Sequence, residues 1–176
     1  DTGNQQTKYD YGTTLSNSNI ASSQLLRWVT YPDALGTGSD FVTYSYNRQG
    51  QQTLVIDQRG CQHAYDYDGL GRQIHDCVLS LGSSAVLSTV YDTRGMVLTV
   101  TTWDDPRVAF GTVLNQVQNA YNDFGQQTDS YQEHGGSVNT STTLKVQYSY
   151  ANGSANTIRM TGMTYPNNRG LTYGYG

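Results

Sequence analysis

Three histidines, two cysteines and two closely spaced aspartates are the residues from which this chain could build chemistry. His63, His75 and His134 lie in separate segments. A histidine becomes a general base only beside the group it deprotonates and a partner that orients it. His63 alternates with Tyr65 and Tyr67, so it reads as a packed strand histidine. Asp66 and Asp68 would project to one face of an extended strand. Such pairs can hold calcium or flank a glycosidic bond. Asp68 also occupies a turn position, where capping of the backbone accounts for it. Cys61 and Cys77 are too few for a disulfide framework, and no further cysteine completes a zinc site. One bridge between neighbouring strands and two buried free thiols both fit, with the thiols favoured. Neither a Gly-x-Ser-x-Gly elbow, a metalloprotease helix motif nor a phosphate-binding loop occurs. The expectation is no catalytic residue, no metal, no cofactor and no enzymatic activity.

The 15 tyrosines are the other chemical resource. Rows of exposed rings can stack on sugars, which makes a carbohydrate- or receptor-binding adhesion module the alternative reading. Set against it, tyrosines at a spacing of two stabilise cross-strand packing by about 0.2–1 kcal/mol per pair. Asn139-Thr140-Ser141 and Asn152-Gly153-Ser154 fit the glycosylation sequon.

Composition bounds the partners. Only 14% of the 176 residues are charged and the net charge is −4. Nucleic-acid binding draws on clustered Lys and Arg, and the 10 present form no cluster, so no nucleic-acid partner is expected. No stretch approaches a membrane span. Disorder is also disfavoured, because aromatic residues are abundant and net charge is low.

What positions these residues is a repeat. Tyr46 and Gly50, Tyr67 and Gly71, Tyr91 and Gly95, and Tyr121 and Gly125 each bracket a five-residue segment, with Asn47, Asp68, Asp92 or Asn122 after the tyrosine. Tyr150 and Tyr175 continue the series with looser glycine placement. Before each tyrosine, side chains alternate as in Val42-x-Tyr44-x-Tyr46 and Val146-x-Tyr148-x-Tyr150, the period of a strand. Thr7-x-Tyr9-x-Tyr11 is a weaker copy. Strand-like runs follow the glycine at Thr53–Ile56, Gln73–Leu79, Met96–Trp103 and Thr128–Tyr131. Asp or Asn starts a turn by bonding backbone two residues on, and glycine supplies positive φ. The unit is therefore strand, Asp/Gly turn, strand. A second turn of variable length joins units, as at Ser80–Ala85, Asp104–Arg107 and Glu133–Ser141. The stretch from Gly135 to Thr143 reads as the best candidate for a mobile loop. Tyr31-Pro32 and Tyr165-Pro166 mark strand ends or turns.

Tyr67-Asp68-Gly69-Leu70-Gly71-Arg72 and Tyr91-Asp92-Thr93-Arg94-Gly95 resemble the YD repeat, also called the RHS repeat. Thr164 to Arg169 matches a Thr-Tyr-Pro-Asn-x-Arg stretch common in that family. The resemblance is best from 42 to 131 and degenerate at both ends. It implies an all-β fold of tandem hairpins in one long twisted or spiralling antiparallel sheet, a shell, barrel or filament-like array. It further implies roles in bacterial toxins, wall-associated proteins and teneurins: encapsulating a carboxy-terminal cargo, or adhesion at the cell surface. Asp104-Asp105-Pro106 does not match the family's self-cleaving segment and reads as a turn.

Residues 1–176 are thus expected to be a single β-repeat array of a structural, extracellular or cell-surface protein. The expected partners are neighbouring repeats or further copies through the sheet edges, an encapsulated cargo, or surface glycans. The sequence opens and closes within repeats, which leads to the expectation of a piece of a larger array or of copies joined head to tail.

Overall fold

The computed structural model describes residues 5–32, 40–80, 83–108, 110–151 and 158–175. The chain is all-β: thirteen strands and, among the described residues, no helix. Each strand lies beside its chain neighbours, and the described pairings are antiparallel. Two compact units, 1–86 and 87–176, divide the chain.

The first unit carries β1 (Lys8–Thr13), β2 (Ser22–Thr30), β3 (Phe41–Tyr46), β4 (Gln52–Ile56), β5 (Gln62–Tyr67) and β6 (Gln73–Ser80). β7 (Ser83–Tyr91) spans the division. In the second unit follow β8 (Val97–Trp103), β9 (Val113–Tyr121), β10 (Gln127–Glu133), β11 (Lys145–Tyr150), β12 (Met160–Thr164) and β13 (Gly170–Thr172). The strand-turn-strand unit expected from the sequence is thus present, with strand limits within a few residues of those expected.

Little of either unit is buried. Val29, Tyr46, Val86 and Tyr131 are the buried apolar residues among those described. A sheet held this way relies on its ladders and cross-strand side-chain pairs more than on a deep core. Around Tyr46 the burial is local. The loop after β1 folds over it: Tyr46 N donates to Ser18 Oγ at 2.6 Å, and Ser18 Oγ in turn donates to Tyr46 O.

Several turns differ from expectation. The connection between β4 and β5 is a second Asx turn, Asp57 to Gly60, with the same chemistry as the signature turns. The stretch from Gly135 to Thr143 is closed by hydrogen bonds instead of standing free. Val138 N donates to Gln116 Oε1, and Thr143 Oγ1 donates to Glu133 Oε2. Tyr165-Pro166 does open a turn, closed by Tyr165 N to Arg169 O, with Asn168 taking the positive φ of 63°. The sequon at 152–154 and the Ser80–Ala85 turn's residues 81 and 82 lie outside the described residues.

Candidate functional site

The signature turns share one geometry. Asn47 N donates to Gln51 O at 2.9 Å and Gly50 N donates to Asn47 O at 3.0 Å. Asn47 Oδ1 also accepts from Gln49 N and Gln51 N. Asp68, Asp92 and Asn122 repeat this pattern bond for bond. Gly50, Gly71, Gly95 and Gly125 sit at φ of 80°, 80°, 88° and 78°, the left-handed region that closes a three-residue hairpin loop.

In three of the four signature turns the residue after the glycine is matched to the turn residue; at Asp92 that position is Met96 and the carboxylate is paired by Arg94. Asn47 Nδ2 donates to Gln51 Oε1, and Asn122 Nδ2 donates to Gln126 Oε1. Where the turn residue is Asp68, that position is Arg72, whose guanidinium donates to the carboxylate at 2.6 and 2.7 Å. In these three turns an amide faces an amide and a carboxylate faces a cation. The Asp68 carboxyl is held below its ordinary value by the Arg72 backbone N–H first and its guanidinium second. At Asp92 desolvation pushes the other way but is outweighed by donors from Met96 and Arg94. Arg94 also reaches the next turn, donating to Asn122 O at 2.9 Å. Arg107 draws Asp105 down to about 2, consistent with a turn role for Asp104-Asp105-Pro106.

The tyrosines do something the sequence pattern did not show. Ladders between successive hairpins stop early: the last β4–β5 pair is Leu54↔Ala64, and the last β10–β11 pair is Asp129↔Gln147. Two residues further along, the carbonyl of Gln52 or Gln127 has left the ladder. Tyr67 Oη donates to Gln52 O at 2.7 Å and Tyr150 Oη donates to Gln127 O at 2.9 Å. The same relation joins Tyr46 to Leu26 O, Tyr121 to Val97 O and Tyr175 to Met160 O. A carbonyl that has left the ladder needs another donor, which tyrosine supplies and phenylalanine does not.

These contacts form relays. Tyr11 pairs with Leu26, which accepts from Tyr46; Tyr46 pairs with Gln52, which accepts from Tyr67. In the second unit Tyr121 pairs with Gln127, which accepts from Tyr150; Tyr150 pairs with Met160, which accepts from Tyr175. Beside most of these pairs the register slips by a residue, at Ser45/Tyr46, Asp66/Tyr67, Gln127/Asp129 and Ser149/Tyr150. Such bulges bend the strand and disrupt the ladder locally. Desolvation raises the hydroxyls of Tyr46, Tyr67 and Tyr150, keeping them protonated donors.

The other chemical candidates are dispersed. Asp66 meets His75 across β5–β6 at 3.1 Å, while Asp68 is occupied in its turn, so the two carboxylates do not converge. His63 stacks on Tyr65 with ring centroids 6.2 Å apart and meets Asp76 at 3.0 Å. Cys61 and Cys77 are free, and half-buried instead of buried. The register sets Cys77 opposite Ala64, three positions along β5 from Cys61, too far for a bridge. Among the described residues no group of three or more His, Cys, Asp or Glu could hold a metal ion. No described helix is long and apolar enough to cross a membrane.

No family model matches the chain, and no curated protein matches it significantly. Among solved structures, it is similar to a chain in the crystal structure of a TcdB2-TccC3-Cdc42 complex, with 11% identity and a TM-score of 0.36. The match covers 71% of this chain but only 7% of that one, and a likeness this slight carries no conclusion about function.

Proposed function

We propose that the chain is a structural β-repeat scaffold of the RHS/YD type. It acts at the cell exterior as part of a shell or of a self-associating filament, without catalytic activity of its own. The observation that supports this most is the tyrosine relay. Tyr46, Tyr67, Tyr121, Tyr150 and Tyr175 each spend the hydroxyl on a carbonyl of the hairpin before, which makes the signature a device for adding one hairpin to another. A residue kept for catalysis or ligand binding would not need to recur from unit to unit with its functional atom committed to backbone.

Scaffolding of this kind works through strand edges. Among the described residues β1 pairs only with β2, and β13 only with β12. Unpaired edges template further strands, so the natural partners are further repeats or other copies of the chain. The test is sedimentation across a concentration series, with electron microscopy of the heavier species. Elongated oligomers are expected; a monomer at every concentration would sink the filament reading.

A further inference from the structure

In a repeat protein, the residues outside the repeat mark where one hairpin has been given something of its own. The β1–β3 face carries such a cluster. Lys8, Asp10, Trp28, Thr30 and Phe41 line an open depression of about 380 Å³. The register gathers them: Lys8 lies opposite Thr30, Asp10 opposite Trp28, and Thr30 opposite Phe41. Register also slips between Asp10 and Tyr11, leaving Arg27 as an extra residue on β2. Its guanidinium lies over the Trp28 ring, 4.0 Å from the centroid.

The polar groups are only partly committed. Trp28 Nε1 donates to Asp10 Oδ2, and a carboxylate retains further acceptor sites. Lys8 Nζ stands 3.6 Å from Asp10 Oδ1, whereas Arg72, Arg94, Arg107 and Lys145 approach their carboxylates to 2.6–3.0 Å. Arg27 has no carboxylate partner among the described residues. Lys8 is thus loosely held by Asp10, and Arg27 lies on the indole, beside exposed aromatic surface, Phe41 being 45% exposed.

The fold does not require this arrangement. Trp103 is a packing residue, its Nε1 bonded to the buried Ser88 hydroxyl. Three residues before the second Tyr-Pro pair the chain has Gly162, where Trp28 precedes the first. The Tyr165-Pro166 turn forms with no indole three residues before it.

We propose that this depression is a binding subsite for an acidic saccharide. The apolar face of a pyranose ring lies against Phe41 and the indole. Its hydroxyls bond Asp10 and Thr30, and its carboxylate or sulfate faces Lys8 and Arg27. A simple anion would have no use for the aromatic floor. A neutral sugar would leave the cations uncompensated. The proposal is independent of the scaffold reading, because a monomer could bind a glycan and a filament could fail to.

Calorimetric titration of the intact chain with trigalacturonic acid, a sulfated heparin tetrasaccharide and 3′-sialyllactose tests it, with maltotetraose as the neutral comparator. At least one acidic probe is expected to bind saturably and more tightly than maltotetraose. Phe41→Ala and Lys8→Gln should each weaken it by roughly tenfold, the effect of losing one good contact. Arg48→Gln, on an exposed turn, should leave it unchanged. Both diagnostic substitutions alter exposed side chains, and an unchanged melting curve would show that each variant is folded. Absence of saturable binding by all three acidic probes overturns the proposal. So does equal binding of maltotetraose, or affinity indifferent to both Phe41→Ala and Lys8→Gln in folded protein.

Discussion

The hydroxyl of a repeat tyrosine is a single atom with a defined thermodynamic role. Tyr121→Phe keeps the ring and removes the donor to Val97 O, so it should cost about 1 kcal/mol, the net worth of one hydrogen bond. The control is Tyr9→Phe, whose side chain is 59% exposed; it should stay within about 0.5 kcal/mol of the parent, as surface changes do. Urea unfolding compares the two, and equal stabilities would remove the relay as an explanation for tyrosine. The same hydroxyls set an alkaline limit. Their folded pKa values lie above the unfolded one at Tyr46, Tyr67 and Tyr150. The stability they contribute is complete below the unfolded value, near pH 10, and is lost as pH rises from there through the folded values. Melting temperature against pH should therefore bend downward above about pH 10.

At the scale of the hairpin, turn chemistry and the residue after the glycine work together. Gly125→Ala places a side chain at φ 78° and sets its Cβ 3.3 Å from Met96 Sδ, so a loss of about 1 kcal/mol or more is expected in a melting experiment. Asp68→Asn leaves Arg72 facing a neutral amide and should lower the melting temperature. Adding Arg72→Gln recreates the Asn47/Gln51 arrangement and should recover part of the loss; a double variant less stable than both singles would refute the matching. The acidic turns also have an acid limit. Asp68, Asp92 and Asp105 have depressed carboxyl pKa values, the last to about 2. Their contribution is complete above the unfolded value, near pH 4, and disappears as pH falls through the folded values. Acid unfolding should accordingly begin below about pH 4 instead of near neutrality.

For the molecule as a whole, a thin core and unpaired edges shift the balance from burial to pairing. Only 14% of residues are charged, and several ion pairs are partly exposed, as at Arg107, so screening by salt has little to weaken. The proposed self-association through edge strands would rest on backbone hydrogen bonds instead. Raising ionic strength from low to moderate should therefore change sedimentation little, whereas Thr172→Pro in β13 should reduce assembly, because the Thr172 N–H alternates with that of Tyr173, which donates to Thr161 O, and so lies on the open edge. Persistence of full assembly in that variant would place the contact elsewhere.

Fold class was legible in the sequence because hairpins are local. An alternating run, an Asp or Asn and a glycine four residues after the tyrosine specify a turn between adjacent segments, and Gly50, Gly71, Gly95 and Gly125 all take the positive φ this requires. The sequence also placed His63 in a packed strand setting and favoured a turn role for Asp68. It did not reveal the tyrosine relay, the bulges or the β1–β3 depression, because each depends on register between strands. One slipped residue decides which carbonyl leaves a ladder, and which side of the sheet Arg27 reaches. It missed Asp57 to Gly60 for a simpler reason: that turn lacks the preceding tyrosine used to find the others. Local spacing determined where the strands and turns fall; only tertiary pairing decided what the tyrosine hydroxyls, cysteines and Trp28 meet, since partners 13 to 24 positions apart are set by neighbouring strands and not by the residues beside them.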